Sequence, residues 1–157
     1  MQLQLSQHQA RSAPRRQVAI ELATPRVAVA VFGDKSPSDF EWQDYMSKLT
    51  QLGSGGHRTL VLTRGGGPSV LQREQLAELM DRQRDVKVAV LTDSVFARGI
   101  VTALRWFRRD ANAAFDPREL EAALDYLELD EPERVRVRAL VPKLVSYLGL
   151  DGEFDFS

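Results

Sequence analysis

The strongest constraint on this chain is a recurring alternation of short, valine-rich runs with capped helical stretches. Gln17–Leu22 (QVAIEL) alternates apolar and polar side chains as a half-buried strand does, and Ala23-Thr24-Pro25 breaks it. Val27–Phe32 (VAVAVF) follows at once, so the first two runs predict an antiparallel hairpin. His57–Thr63 (HRTLVLT), Asp85–Thr92 (DVKVAVLT) and the short Asn112–Phe115 supply three further strands. The unbroken Leu60-Val61-Leu62 suits a strand covered on both faces. Helical stretches separate these runs, giving the order ββαβαβαβα and then one more helix. That order predicts an α/β fold: a mixed, mostly parallel sheet with an N-terminal β-hairpin, covering helices and an extra C-terminal helix.

The helices carry their own start signals. Ser36 reads as an N-cap, with Pro37 in the first helical position and Asp39 three residues after the cap. Trp42, Tyr45, Met46, Leu49 and Leu52 recur at the spacing of one buried stripe. Ser69 followed by Gln72 predicts a helix near Val70–Gln83. Asp93-Ser94 caps a third helix, near Val95–Arg109, with Phe96, Ile100, Ala103, Leu104 and Phe107 on its apolar side. Asp116-Pro117 opens a helix through about Leu129. Glu131-Pro132 precedes a last one over Glu133–Leu148, where Pro142 predicts a kink or break after about Leu140. The organisation expected is a flexible polar tail (1–16), an α/β domain (17–130), a C-terminal helix packed on the domain or on a partner (131–150), and an acidic-aromatic tail (151–157).

Composition narrows the chemistry. The 157 residues are 43% hydrophobic and 27% charged, as in a globular domain. The 21 Lys and Arg against 22 Asp and Glu leave a net charge of -1, which argues against a nucleic-acid partner. The absence of cysteine removes disulfides, thiolate metal sites and cysteine nucleophiles. The two histidines, His8 and His57, offer little to a His-based metal or catalytic centre. No catalytic residue, metal or cofactor is expected on these grounds. The N-terminus has no apolar core of a secretory signal, and no apolar run reaches the roughly 20 residues of a transmembrane helix. A cytoplasmic location is the default expectation.

Two stretches carry a family resemblance. They are Lys87-Val88-Ala89-Val90-Leu91-Thr92-Asp93, and Phe115-Asp116-Pro117 with the helix Glu121-Ala122-Ala123-Leu124-Asp125-Tyr126-Leu127. With the element order, they make Gln17–Leu129 resemble the STAS superfamily of anti-sigma-factor antagonists, in its SpoIIAA-like, SEC14-like branch. The resemblance implies a non-enzymatic regulatory module that binds protein partners, sometimes through phosphorylation of Ser or Thr where the central strand meets the next helix. Here that junction reads Arg64-Gly65-Gly66-Gly67-Pro68-Ser69, in place of the family's Asp-Ser-Ser-Gly type of motif. Ser69 is the positional candidate for a phospho-site, and its N-cap role accounts for it equally.

The three glycines are also candidates in their own right. Gly65, Gly66 and Gly67 lie between a buried strand and a helix N-terminus, where backbone amides suit an anion and Arg64 adds a donor. A tight turn needing positive φ is the simpler account. Arg98, Arg105 and Arg109 form a basic face that can meet an acidic partner, a lipid head group or the acidic helix that follows. Trp106 lies off the apolar stripe and is a candidate interface aromatic. Phe154 and Phe156 form an aromatic-acidic motif that either frays or docks. The last helix has an apolar face wide enough to pair with a second copy. Asp34, Asp93 and Asp116 fall at strand ends, where a carboxylate site for a divalent metal can form. The leading expectation is therefore a regulatory protein-interaction module. A binder of a small anion, nucleotide or lipid head group at Gly65–Ser69 is the alternative, and a metal-dependent enzyme comes third.

Overall fold

The valine-rich run at Val27–Phe32 (β2) is buried along its whole length, and the rest of the molecule is arranged around it. The structure is a computed structural model and describes residues 16–53, 56–105 and 111–157. The expected N-terminal tail thus lies almost wholly outside the described residues. Val18–Thr24 (β1) pairs antiparallel with β2. His57–Thr63 (β3), Val86–Leu91 (β4) and Asn112–Phe115 (β5) follow in parallel, so the described sheet runs in the order β1-β2-β3-β4-β5. The fold class read from the sequence is the one observed.

Side chains of successive residues point to opposite faces of the sheet. Val27, Val29, Val31, Leu60, Leu62, Ala89 and Leu91 build one face. Two helices cover it: Leu120–Tyr126 (α4), which follows a 3-10 turn at Pro117–Glu119, and Glu131–Tyr147 (α5). Val137, Val141, Leu144, Val145 and Leu148 of the α5 segment are buried there. The face that suggested pairing with a second copy is therefore covered by the chain's own sheet. The opposite face carries Asp39–Thr50 (α1), Val70–Asp81 (α2) and Val95–Arg105 (α3). Trp42, Tyr45 and Leu49 of α1 pack there on Ala28, Ala30 and Phe32.

Several boundaries differ from the sequence reading, each for a local reason. The N-cap of α1 is Ser38, not Ser36, because Ser38 and Glu41 close a reciprocal capping box. The last helix begins at Glu131, not Glu133, since Asp130 caps it and Pro132 sits in its first turn, where the missing N–H costs nothing. It continues through Pro142 to Tyr147 without the expected break. On α3 Ala97 and Val101 are buried; the side chains of the expected stripe, Phe96, Ile100, Ala103, Leu104 and Phe107, lie outside those described.

Two arginines tie the ends of this framework. Arg58 is buried (4% exposed) and donates to the Leu127, His57 and Asp85 carbonyls and to the Asp85 carboxylate. Arg26 makes a two-pronged bridge to Glu133, Nε to Oε2 at 2.6 Å and Nη2 to Oε1 at 2.9 Å. Glu133 also closes the capping box of α5, so one carboxylate fixes that helix both to its own cap and to the hairpin. The hydrogen bonds from Arg26 outweigh burial and hold the Glu133 carboxyl below its usual range.

Replacing Glu133 with Ala should cost about 2–4 kcal/mol, because Arg26 loses its partner and α5 its box. A carboxyl held low in the folded state stabilises above its unfolded value, near 4.5. That contribution should be lost as pH falls below it, and Glu133→Gln should flatten this part of a stability profile measured by urea unfolding.

Candidate functional site

Helix α2 is attached to its neighbours largely through polar groups, and a cavity lies beneath it. The buried Gln72 side chain donates to the Pro37 carbonyl at 3.0 Å and accepts from the Ser69 amide at 2.9 Å. Trp42 Nε1 of α1 donates to Gln75 at 2.8 Å. Gln72 is the buried residue of α2, whereas Leu76, Leu79 and Met80 are only partly covered. Leu71, in its first turn, is 71% exposed. Between α2, α3 and the sheet lies a cavity of about 910 Å³. Val61, Val88 and Val90 form its sheet wall, with Leu76, Ala77 and Met80 from α2 and Ala97 and Val101 from α3 opposite.

Polar groups gather at the two ends of this apolar space. At the carboxyl edge of the strands the mouth is formed by Asp34, Lys35, Ser36, Arg73 and the Gly65–Ser69 loop. Thr59, Asn112 and, at the end of α2, Asp81 line the floor; Thr59 is four strand residues, about 13 Å, below Thr63. Thr59, Val88 and Asn112 stand side by side on β3, β4 and β5. The Thr59 hydroxyl lies 2.6 Å from His57 Nε2, and His57 Nδ1 lies 2.6 Å from Gln83 Oε1. Both ring nitrogens thus have partners, with Nδ1 donating to Gln83 and Nε2 accepting from Thr59. Burial dominates and lowers the His57 pKa.

The glycine loop is the rim of the cavity, and its amides are largely committed within the turn. Gly65 has φ +114°, and its N–H donates to Thr63 Oγ1 at 3.0 Å. Gly66 donates to the Gly33 carbonyl at 2.9 Å. A Cβ on Gly66 would fall 2.5–2.6 Å from backbone atoms of Lys35 and Gly33, so this position admits no side chain. Gly67 faces open space. Ser69 is the N-cap of α2 in a full capping box with Gln72, as the sequence indicated. Arg64 turns from the loop to the other end of the chain. It donates to the Glu153 carbonyl at 2.8 Å and pairs with the carboxylates of Glu153 and Asp93 at 3.2 and 3.6 Å.

The other candidates are dispersed. Arg98 donates to the Thr92 carbonyl and approaches Asp116 at 4.0 Å. Arg105 ends α3, while Trp106 and Arg109 lie outside the described residues. The acids of α4 pair instead with α5, Glu121 with Arg138 and Asp125 with Arg134. Phe154 is buried (8% exposed) in the core beneath α5, and the partly exposed Phe156 stacks on it. Asp93 and Asp116 are held by separate arginines. Among the described residues no group of three or more His, Asp or Glu is placed to hold a metal ion. No helix is long and apolar enough to cross a membrane, again among the described residues.

Sequence reasoning found the rim but missed the cavity and its floor. The available signal was Thr59 and Thr63 bracketing Val61 on one face of an otherwise aliphatic strand. Because the folded His57 holds its proton less tightly than the unfolded one, stability should fall as pH drops below about 6.5. Urea unfolding at neutral pH and at about 5.5 should show this loss in the wild type and a smaller one in His57→Gln.

Searches of protein-family models, curated proteins and solved structures find no match to this chain.

Proposed function

We propose that the protein is a non-catalytic binding module that holds a small amphipathic molecule between α2 and the sheet. The observation that carries this reading is the cavity: about 910 Å³, walled by valines, Leu76 and Met80, with polar groups at its ends. Small-molecule sites have this form, an apolar body with a few placed polar groups. They also favour the carboxyl ends of parallel strands, where this mouth opens. The STAS-like resemblance of the sequence agrees with a binding rather than a chemical role.

The second reading, a regulatory surface for a protein partner, has its own support. Phe40, Val70 and Leu71 are 80%, 63% and 71% exposed on the first turns of α1 and α2. Large apolar side chains grouped at one end of a molecule mark a contact surface. The two readings are compatible. Helix α2 forms a wall of the cavity and also carries Val70 and Leu71, so a ligand that shifts α2 changes the surface a partner meets.

Titration with an environment-sensitive apolar dye such as anilinonaphthalene sulfonate tests the first reading. The wild type should bind it saturably. Ala77→Phe and Val90→Phe, which fill the cavity from opposite walls, should each weaken binding about tenfold. Binding that does not saturate, or that neither substitution affects, would refute the reading.

A further inference from the structure

The distribution of charge and hydrogen-bonding groups along the cavity specifies more than an apolar ligand. Lys35, Arg73 and the carboxylate of Asp34 line the mouth, and a second carboxylate, Asp81, lines the cavity at the other end of α2. Neither cation is in an ion pair with another described residue, in contrast to Arg26, Arg58, Arg64, Arg134 and Arg138. Arg73 sits in the first turns of α2, and the positive end of that helix points to the same opening. The middle offers only aliphatic walls at Val61, Val88 and Val90. At the floor the Asn112 amide, half-buried on β5, makes no hydrogen bond with another described side chain or backbone group, while its neighbour Thr59 is bound to His57.

Resting on the reading of the cavity as the ligand site, we propose that it is built for an elongated monoanion. A carboxylate lies at Lys35 and Arg73, an aliphatic chain runs along the valine wall, and a hydroxyl or similar group at the far end meets Asn112. At the mouth Lys35 and Arg73 outnumber Asp34 by one charge, while the cavity's other carboxylate, Asp81, lies eight residues along α2 at the far end, so the mouth accepts one negative charge. That favours a carboxylate over a phosphate monoester, which carries close to two charges at neutral pH. The Asn112 amide is half-buried, and an alkyl terminus would shield it from water without offering a partner, which disfavours the purely alkyl ligand. A polar far end removes that penalty.

The test is competition against the bound dye by dodecanol, dodecanoate, ω-hydroxydodecanoate and dodecyl phosphate. In the wild type ω-hydroxydodecanoate should bind most tightly and dodecanoate next. Dodecanol should be weaker than dodecanoate by about tenfold or more, the size of a lost charge-assisted hydrogen bond. A Lys35→Glu, Arg73→Glu double variant should lose the preference for dodecanoate over dodecanol while keeping its affinity for dodecanol. Asn112→Leu should erase the advantage of the terminal hydroxyl and leave dodecanoate unaffected. Equal binding of dodecanol and dodecanoate, no gain from the hydroxyl, or tighter binding of dodecyl phosphate would each overturn the proposal. If the dye binds saturably and the order is wrong, this inference alone falls; if the dye does not bind, the cavity reading falls with it.

Discussion

The handedness of the strand crossovers decides where everything else lies. From β2 to β5 each parallel strand is laid beside the one before it, always in the same direction across the sheet. A right-handed connection at every step then sends α1, α2 and α3 to one face. The other face, lined by Val27, Val29, Val31, Leu60, Leu62 and Leu91, is left for the rest of the chain. Helix α5 is therefore a structural necessity rather than an appendage. It packs against β1 and β2, and Phe154 beyond it completes the same core.

The two faces are packed unequally, and the inequality produces the site. Under α4 and α5, large aliphatic side chains fill the space almost without exposure. On the opposite face α1 is sealed by Trp42, Tyr45 and Leu49, with Trp42 stacked on Tyr45 at 4.9 Å between ring centroids. Helix α2 lacks such a stripe. It is held at the N-terminal end by Gln72 and the Ser69 cap and at its flank by the Trp42–Gln75 bond. Hydrogen bonds fix position but do not fill volume. Beneath a helix attached in this way Val61, Val88 and Val90 border open space as well as their packed neighbours, so part of their surface goes without the contacts of a filled interior. A bound apolar molecule would restore them.

Electrostatics in the molecule falls into two kinds. Arg58 and Glu133 are buried charges with full sets of partners, so removing one partner strands the other. The α4–α5 pairs, Glu121–Arg138 and Asp125–Arg134, lie at the surface and contribute little. Lys35 and Arg73 belong to neither kind, since they are charged, near a mouth and outside the ion-pair network of the described residues. The glycine loop has a role between the two. Gly65 turns the chain at positive φ beside Ser94 and Gly66 brings it tightly past Gly33 and Lys35, which sets the rim, while Arg64 leaves that rim to clasp the C-terminal tail.

Much of the architecture was legible because it is local. Period-two and unbroken apolar runs marked all five strands within two residues, the first running on through Ala23 and Thr24, which the linear pattern reads as its break, and the Ser69–Gln72 capping box was readable as written. Where competing local signals lay side by side, as at Ser36 and Ser38 or at Pro132 and Pro142, the linear pattern could not choose. Contacts beyond the local pattern did the choosing: Glu41, which closes the Ser38 box, also accepts from the Gln17 amide, and α5 is held along its length by the sheet. The candidate site divides in the same way. The triple-glycine bend at a helix tip followed from the sequence, because strand, turn and cap are contiguous. That Arg64 faces away from it, that Phe154 is core, and that Thr59, Val88 and Asn112 meet across three strands were decided by the tertiary structure. These relations depend on strand register and on how far one weakly amphipathic helix stands from the sheet, and neither is encoded by any single stretch of chain.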